Sequence, residues 1–222
     1  MKPYLFLHIP RTGGTSIRSI LPHGYTNVSE INNLLKNQTP SESSISIQHR
    51  TMDEFAKFKT EFFTFTFVRN PWDRFVSVFE HQINNCDLKL GFLDVVSNKP
   101  VIHDDKTLQF FEFVTFVKDR WKNGLLNLQF DGHLRRQIDF THTKERKKIL
   151  DYIGRYETMQ EDLKNLNDIC GWNNECIEIP MINQSKNRPH SYRNYYETGN
   201  GIAKEFVYQL YRDEIELFGY KF

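Results

Sequence analysis

The residues of this 222-residue chain whose types and spacing suit chemistry fall in two short segments, and both suit a phosphate-bearing ligand. The first is His8-Ile9-Pro10-Arg11-Thr12-Gly13-Gly14-Thr15-Ser16. Two consecutive glycines let the backbone approach a ligand closely and take positive φ. A helix starting there offers unpaired N–H groups and the positive end of its dipole, both of which favour an anion. Arg11 adds a permanent charge, and the hydroxyls of Thr12, Thr15 and Ser16 add donors. This is not a Walker A sequence, which needs Lys-Ser/Thr directly after its second glycine. No Lys follows Gly13 or Gly14, so a Mg²⁺-dependent nucleotide triphosphatase is not implied. On these residues alone, an ordinary tight strand-to-helix turn is the competing reading.

The second segment is Phe67-Val68-Arg69-Asn70-Pro71-Trp72-Asp73-Arg74-Phe75-Val76-Ser77. Arg69 stands where an apolar strand ends, so its side chain emerges at an edge of the sheet. Ser77 lies seven residues beyond Asn70, two helical turns on and on the same helix face. An Arg fork and a hydroxyl converging there suit a phosphate monoester. The competing reading pairs Asp73 with Arg74 on the surface and turns Ser77 toward the core.

Alternating strand and helix patterns must position these groups. Tyr4 to His8 reads as a strand, and a short helix over Thr15 to Leu21 carries Ile17, Ile20 and Leu21 on one side. Phe62 to Val68 is aromatic and β-branched, too apolar to be an edge in water. Asn70 as N-cap, Pro71 at the first helical position and Asp73 in the first turn then start a helix reaching about Asn84, with Phe75, Val78 and Phe79 buried. Further along, Asn37 to Ser44 reads as a polar loop, Ile45 to His49 as a short strand and Met52 to Phe58 as a short helix.

A mainly helical insertion spans about 87–130, with Thr107 to Trp121 its clearest helix. Ile149 to Tyr156 reads as a buried strand. Thr158 to Cys170 reads as a helix with Met159, Leu163, Leu166 and Ile169 at helical spacing. Ile182 to Tyr196 is polar and basic without a period. A last helix over Ile202 to Phe218 puts Ile202, Phe206, Val207, Leu210, Tyr211, Ile215 and Phe218 on one face. The alternation predicts an α/β fold with a parallel sheet, whose ligands sit at the carboxyl ends of its strands, in a single domain over 1–222.

Composition narrows the classes. Hydrophobic residues make up 39% and charged residues 26%, with 19 Phe, 10 Tyr and 3 Trp, enough for a sizeable core. A formal charge of +1 gives no reason to expect nucleic acid or a membrane surface as a bulk electrostatic partner. No apolar run approaches the ~18 residues a membrane span needs, and the apolar start is too short for a secretion signal, so the expected location is cytoplasmic. Cys86, Cys170 and Cys176 are too few for a disulfide framework; reduced thiols are expected, with a Cys170–Cys176 pair as the alternative. No His/Cys/Asp/Glu cluster has metal-ligand spacing, so no metal is expected.

Together the two segments resemble the sulfotransferases that use 3′-phosphoadenosine 5′-phosphosulfate (PAPS), in particular the carbohydrate branch, which carries HIP(K/R)TGG(T)S and later FxFVRNPWDRxVS. His133-Leu134-Arg135-Arg136-Gln137, Ile153-Gly154-Arg155-Tyr156-Glu157, Asn183-Gln184-Ser185-Lys186 and the ending Tyr211 to Tyr220 are similar to later landmarks of that branch, in the same order. The resemblance implies a P-loop-like three-layer fold, a central mainly parallel sheet flanked by helices. It implies that Arg11, Thr12, Gly13, Gly14, Thr15 and Ser16 hold the 5′-phosphosulfate end of PAPS. Arg69 and Ser77 would bind its 3′-phosphate, and the segment around Lys186 would close over it. Trp72 is placed either near the adenine or in the core.

Sulfuryl transfer asks for positioning and charge stabilisation, with a base for the acceptor proton and a cation beside the leaving oxygen. His49 follows the alternating Ile45 and Ile47 and caps a strand. Alone it reads more readily as a structural histidine than as a base, but the resembling family has its base in this stretch, and the flanking motifs reverse the order. Arg11, where the family more often has Lys, supplies the cation without a titratable proton. His8 is expected to orient the loop and His133 to line the acceptor cleft. Arg136, where the family often has Pro, is a second departure.

The implied reaction moves a sulfuryl group from PAPS to an acceptor hydroxyl on a carbohydrate. The alternatives are a phosphotransferase of similar fold and a nucleotide-binding module without transfer activity. Arg135, Arg136 and the cluster Lys144 to Lys148 make either a basic patch for the acceptor or a solvated face. Tyr192, Tyr195 and Tyr196 either stack on a sugar or pack.

Overall fold

The computed structural model describes residues 4–21, 62–84, 105–124, 126, 133–143, 145–172, 178–180 and 191–222. In chain order the elements are β1 (Tyr4–Phe6), α1 (Gly14–Ile20), β2 (Phe63–Val68), α2 (Pro71–Asn84), α3 (Lys106–Lys122), α4 (Ile138–Thr141), β3 (Tyr152–Arg155), α5 (Met159–Cys170) and α6 (Ile202–Phe218). Short 3₁₀ turns occupy Tyr156–Thr158 and Tyr192–Tyr196. The strand expected at Ile45 to His49, the helix at Met52 to Phe58 and the loop at Asn37 to Ser44 lie outside the described residues, as does all of 87–104. The chain divides into two compact units, Met1–Arg69 with Gln129–Asn183, and Asn70–Leu128 with Gln184–Phe222.

The first unit holds a parallel sheet in the order β1-β2-β3. Tyr4 pairs with Phe63 and Phe6 with Phe65, while Phe65 pairs with Tyr152 and Val68 with Arg155. The most apolar strand is therefore central, as its sequence requires. Because side chains alternate, Tyr4, Phe6, Phe65 and Phe67 share one face, which α1 and α5 cover with Ile17, Met159, Leu163 and Leu166. Leu5, Leu7, Phe62 and Leu150 pack on the other face. Thr64 and Thr66 are fully buried between apolar neighbours and are satisfied locally. Thr66 Oγ1 donates to the Leu7 carbonyl at 2.6 Å, and Thr64 donates from N and Oγ1 to Asp151 Oδ2 at 2.7 and 2.8 Å.

β3 is shorter than its apolar run. Ile149 donates its N–H to Thr141, and His142 bridges Lys148, so those residues belong to a turn leading into the strand. Ile169 is 57% exposed, contrary to the spacing argument. At about 100° per residue it stands roughly 80–100° off the stripe of Met159, Leu163, Leu166 and Cys170. Cys170 is a free, buried thiol whose pKa burial pushes up to about 11; Cys176 lies outside the described residues.

The second unit packs α2, α3, α6 and the Tyr192–Tyr196 turn around aromatic rings. Phe110 meets Phe79 at 5.4 Å and Tyr195 at 5.5 Å between centroids, and Phe75 meets Phe113 at 5.4 Å. Edge-on and tilted pairs at this spacing suit the ring quadrupoles. Asn70 caps α2, its Oδ1 accepting from the Trp72 N–H at 3.1 Å.

Three readings are settled inside this unit. Arg74 is not a surface residue: it is 1% exposed, its guanidinium 5.8 Å from the Tyr211 ring. Trp72 is core, donating from Nε1 to the Lys204 carbonyl at 3.0 Å. Tyr195 and Tyr196 are packing residues, Tyr195 donating to the buried Glu80 and Tyr196 to the Trp72 carbonyl at 2.9 Å. Ile202 is 45% exposed at the start of α6, off the stripe formed by Ala203, Phe206, Val207 and Leu210. Among the described residues no helix is long and apolar enough to cross a membrane.

Candidate active site at the carboxyl ends of the strands

In a parallel sheet every strand delivers its next residue to the same edge. Here β1 leads into the Arg11–Ser16 loop, β2 into Arg69 and β3 into Tyr156. These groups meet in the first unit. Arg69 Nη1 donates to the Arg11 carbonyl at 3.1 Å, and the Arg69 guanidinium carbon lies 4.0 Å from the centre of the Tyr156 ring. Stacking of this kind favours a cation held flat on an aromatic face.

The loop's shape follows from its residues. Gly13 caps α1 with φ 82, and Arg11 takes φ 68, a left-handed conformation that costs a side-chain-bearing residue about 1–2 kcal/mol. Thr12 is fully buried and its Oγ1 donates to the Ile9 carbonyl at 2.8 Å, so this hydroxyl staples the loop. Gly14 is buried on the His8 ring, where an added Cβ would come within 2.1 Å of Cδ2. A Cβ on Gly13 would reach 2.4 Å from the Met159 methyl and 3.2 Å from the Tyr156 ring. Arg11, Gly13 and Thr15 are half-buried, and Ser16 is buried.

Of the remaining expected site residues, Ser77 is buried on α2 in the second unit. His49 and Lys186 lie outside the described residues. His133 is half-buried. Arg135 lies 5.4 Å over the Phe140 ring, and Arg136 pairs with Asp139 at 2.9 Å. Arg146, Lys147 and Lys148 are exposed just before β3, which places them toward the strands' amino ends, away from the Arg11–Ser16 loop; Lys144 lies outside the described residues. Among the described residues no group of three His, Cys, Asp or Glu could hold a metal.

Two residues carry more of this site than their local sequence suggests. Gln137, fully buried, accepts from the Arg69 N–H and donates to the Arg69 carbonyl, both at 2.8 Å. Its partner is 68 residues away, so no local pattern announces it. Tyr156 did have a signal: it directly follows an apolar strand, as Arg69 does. Its turn is pinned by Asp162, which accepts from Tyr152 OH at 2.5 Å, Arg155 N at 2.9 Å and Thr158 Oγ1 at 2.7 Å. Burial, then the Asp162 hydrogen bond, pushes the Tyr152 phenol up to about 12.

Comparison with known proteins agrees with this fold. The model of the Sulfotransferase family matches residues 2–221. A curated relative, carbohydrate sulfotransferase 10 of Gallus gallus, is 25% identical over 244 aligned residues, covering 98% of this chain. The chain spans 64% of that relative's length. No solved structure matches. With the family's pattern running from residue 2 to residue 221 and a parallel sheet presenting the Arg11–Ser16 loop beside Arg69, this chain belongs to the Sulfotransferase family.

Proposed function

We propose that this protein transfers a sulfuryl group from PAPS to a hydroxyl of a carbohydrate acceptor. The observation that carries the reading is the meeting of Arg69 with the Arg11 carbonyl and the Tyr156 ring at the strand ends of a Sulfotransferase-family chain. A planar guanidinium beside a glycine-containing loop is a donor set that fits a doubly phosphorylated nucleotide. The sugar acceptor follows the name of the Gallus gallus relative.

In this reading Arg11 to Ser16 hold the 5′-phosphosulfate, Arg69 and Ser77 the 3′-phosphate, and Lys186 belongs to a segment closing over the nucleotide. His49 takes the acceptor's proton as the acceptor oxygen forms its bond to sulfur. The bond from sulfur to the bridging oxygen breaks in line, and that oxygen stays with the phosphate. Arg11 offsets the charge growing there; as an arginine it stabilises that charge and donates no proton.

The test is a thermal-shift titration with 3′-phosphoadenosine 5′-phosphate against AMP and ADP, followed by transfer from labelled PAPS to a panel of hydroxyl-bearing sugars. At 100 times its dissociation constant a ligand adds ~2.7 kcal/mol of stability. Selective stabilisation by the 3′-phosphorylated nucleotide, with label appearing in a sugar, is the expected result. Equal stabilisation by ADP would overturn the donor assignment.

A further inference from the structure

Arg69 stands one residue past the last residue of β2, where the ladder to β3 has ended. A buried backbone N–H and C=O at such a point need partners, and leaving them unmet is costly. Both are met by one side chain. The Gln137 carboxamide donates through Nε2 and accepts through Oε1, each at 2.8 Å, the pairing that a neighbouring strand's peptide would supply. The tip of Arg69 is held separately by the Arg11 carbonyl at 3.1 Å and the Tyr156 ring at 4.0 Å.

We infer that Gln137 is a positioning residue for recognition of the nucleotide's 3′-phosphate: it fixes the root of Arg69 so that the guanidinium is already aimed before the ligand arrives. This rests on the reading of Arg69 as the 3′-phosphate ligand. A side chain as long as arginine turns a small rotation at its Cα into a large displacement at its tip. Anchoring only the tip would leave that lever free. The anchoring carboxamide is itself rigid, being 0% exposed and at the entry to α4, where the Thr141 hydroxyl donates to the Gln137 carbonyl at 3.1 Å.

The experiment measures dissociation constants of 3′-phosphoadenosine 5′-phosphate and of AMP, which differ only in the 3′-phosphate, for wild-type protein and for Gln137→Met. Methionine matches glutamine's length and cannot make the paired bonds. The 3′-phosphorylated nucleotide should bind roughly 10–100-fold more weakly to the variant, the range for removing a partner that orients a ligating group, with AMP within about threefold of wild type. A selectivity ratio equal to wild type, or two constants rising together as in a general loss of structure, overturns the inference. Wild-type protein with no preference between the nucleotides fails the Arg69 assignment itself and takes the inference with it.

If Gln137→Met does not fold, hydrogen exchange at the Arg69 amide in wild-type protein decides. Exchange slowed about tenfold more by the 3′-phosphorylated nucleotide than by AMP at equal saturation supports the coupling, about 1.4 kcal/mol. Equal slowing overturns it.

Discussion

Replacing Gly13 with alanine adds one methyl group, and the structure says what that methyl meets. The backbone there has φ 82, a left-handed conformation that costs a residue with a Cβ about 1–2 kcal/mol. The new Cβ would stand 2.4 Å from the Met159 methyl and 3.2 Å from the Tyr156 ring, both packed under the loop. Met159 can swing its end away, so the overpacking term belongs at the lower end of the usual ~1–3 kcal/mol. The sum is a destabilisation of about 2–4 kcal/mol, or a fall in melting temperature of roughly 5–15 °C for a chain of this length.

Urea unfolding followed by intrinsic fluorescence measures it, because Trp172 reports from the same unit, 5.1 Å from Tyr4 and 6.0 Å from Phe65. A Met159→Ala background separates the two terms. With the methyl removed, Gly13→Ala should cost less, the ~1–2 kcal/mol of the backbone together with the smaller shift asked of the Tyr156 ring. Since Tyr156 also carries Arg69, the substitution should in addition weaken the preference for the 3′-phosphorylated nucleotide. A cost below about 0.5 kcal/mol in both backgrounds, the scale of an ordinary surface change, would refute the account of the loop.

Three further outcomes are expected. His49→Ala should lower turnover about 10²–10⁴-fold, the range for a lost general base, while 3′-phosphoadenosine 5′-phosphate still binds; near-normal turnover sinks the assignment. Arg69→Ala should weaken that nucleotide by about 10–100-fold relative to AMP, from the ~1.5–3 kcal/mol of charged hydrogen bonds, and equal affinities argue against its role. Tyr152 holds its proton more tightly in the folded state, its pKa raised from 10.0 to about 12. Its stabilising contribution is therefore whole below pH ~10 and lost as pH rises through about 12. Ultraviolet titration of wild type against Tyr152→Phe should show this late phenol, and Asp162→Asn should bring it down; a phenol titrating near 10 contradicts the Asp162 contact.

The fold was legible wherever one residue's environment is set by its near neighbours. Phe62 to Val68 announced a central strand because seven apolar or β-branched residues in a row have no solvent face to offer. Asn70-Pro71 announced the start of α2 because a cap and a fixed φ act within one turn. Ile169 and Ile202 misled for the same local reason: a hydrophobic residue near a stripe looks like part of it until the neighbouring element's breadth is known. The competing reading of Arg74 as a surface residue beside Asp73 fails because burial of a charge depends on what the rest of the unit builds around it.

For the candidate site the division is sharper. The order of the chemistry is written along the chain: a glycine loop after the first strand, an arginine after the next, and landmark motifs beyond, which is why the family could be named from residues alone. Hydrogen bonds between distant residues are not written there, because any buried glutamine can pair with any exposed peptide that the fold brings near. That Gln137 holds both polar groups of Arg69 across 68 residues, and that one tyrosine ring serves both Gly13 and Arg69, follow only from the parallel register that brings three strand ends to one edge.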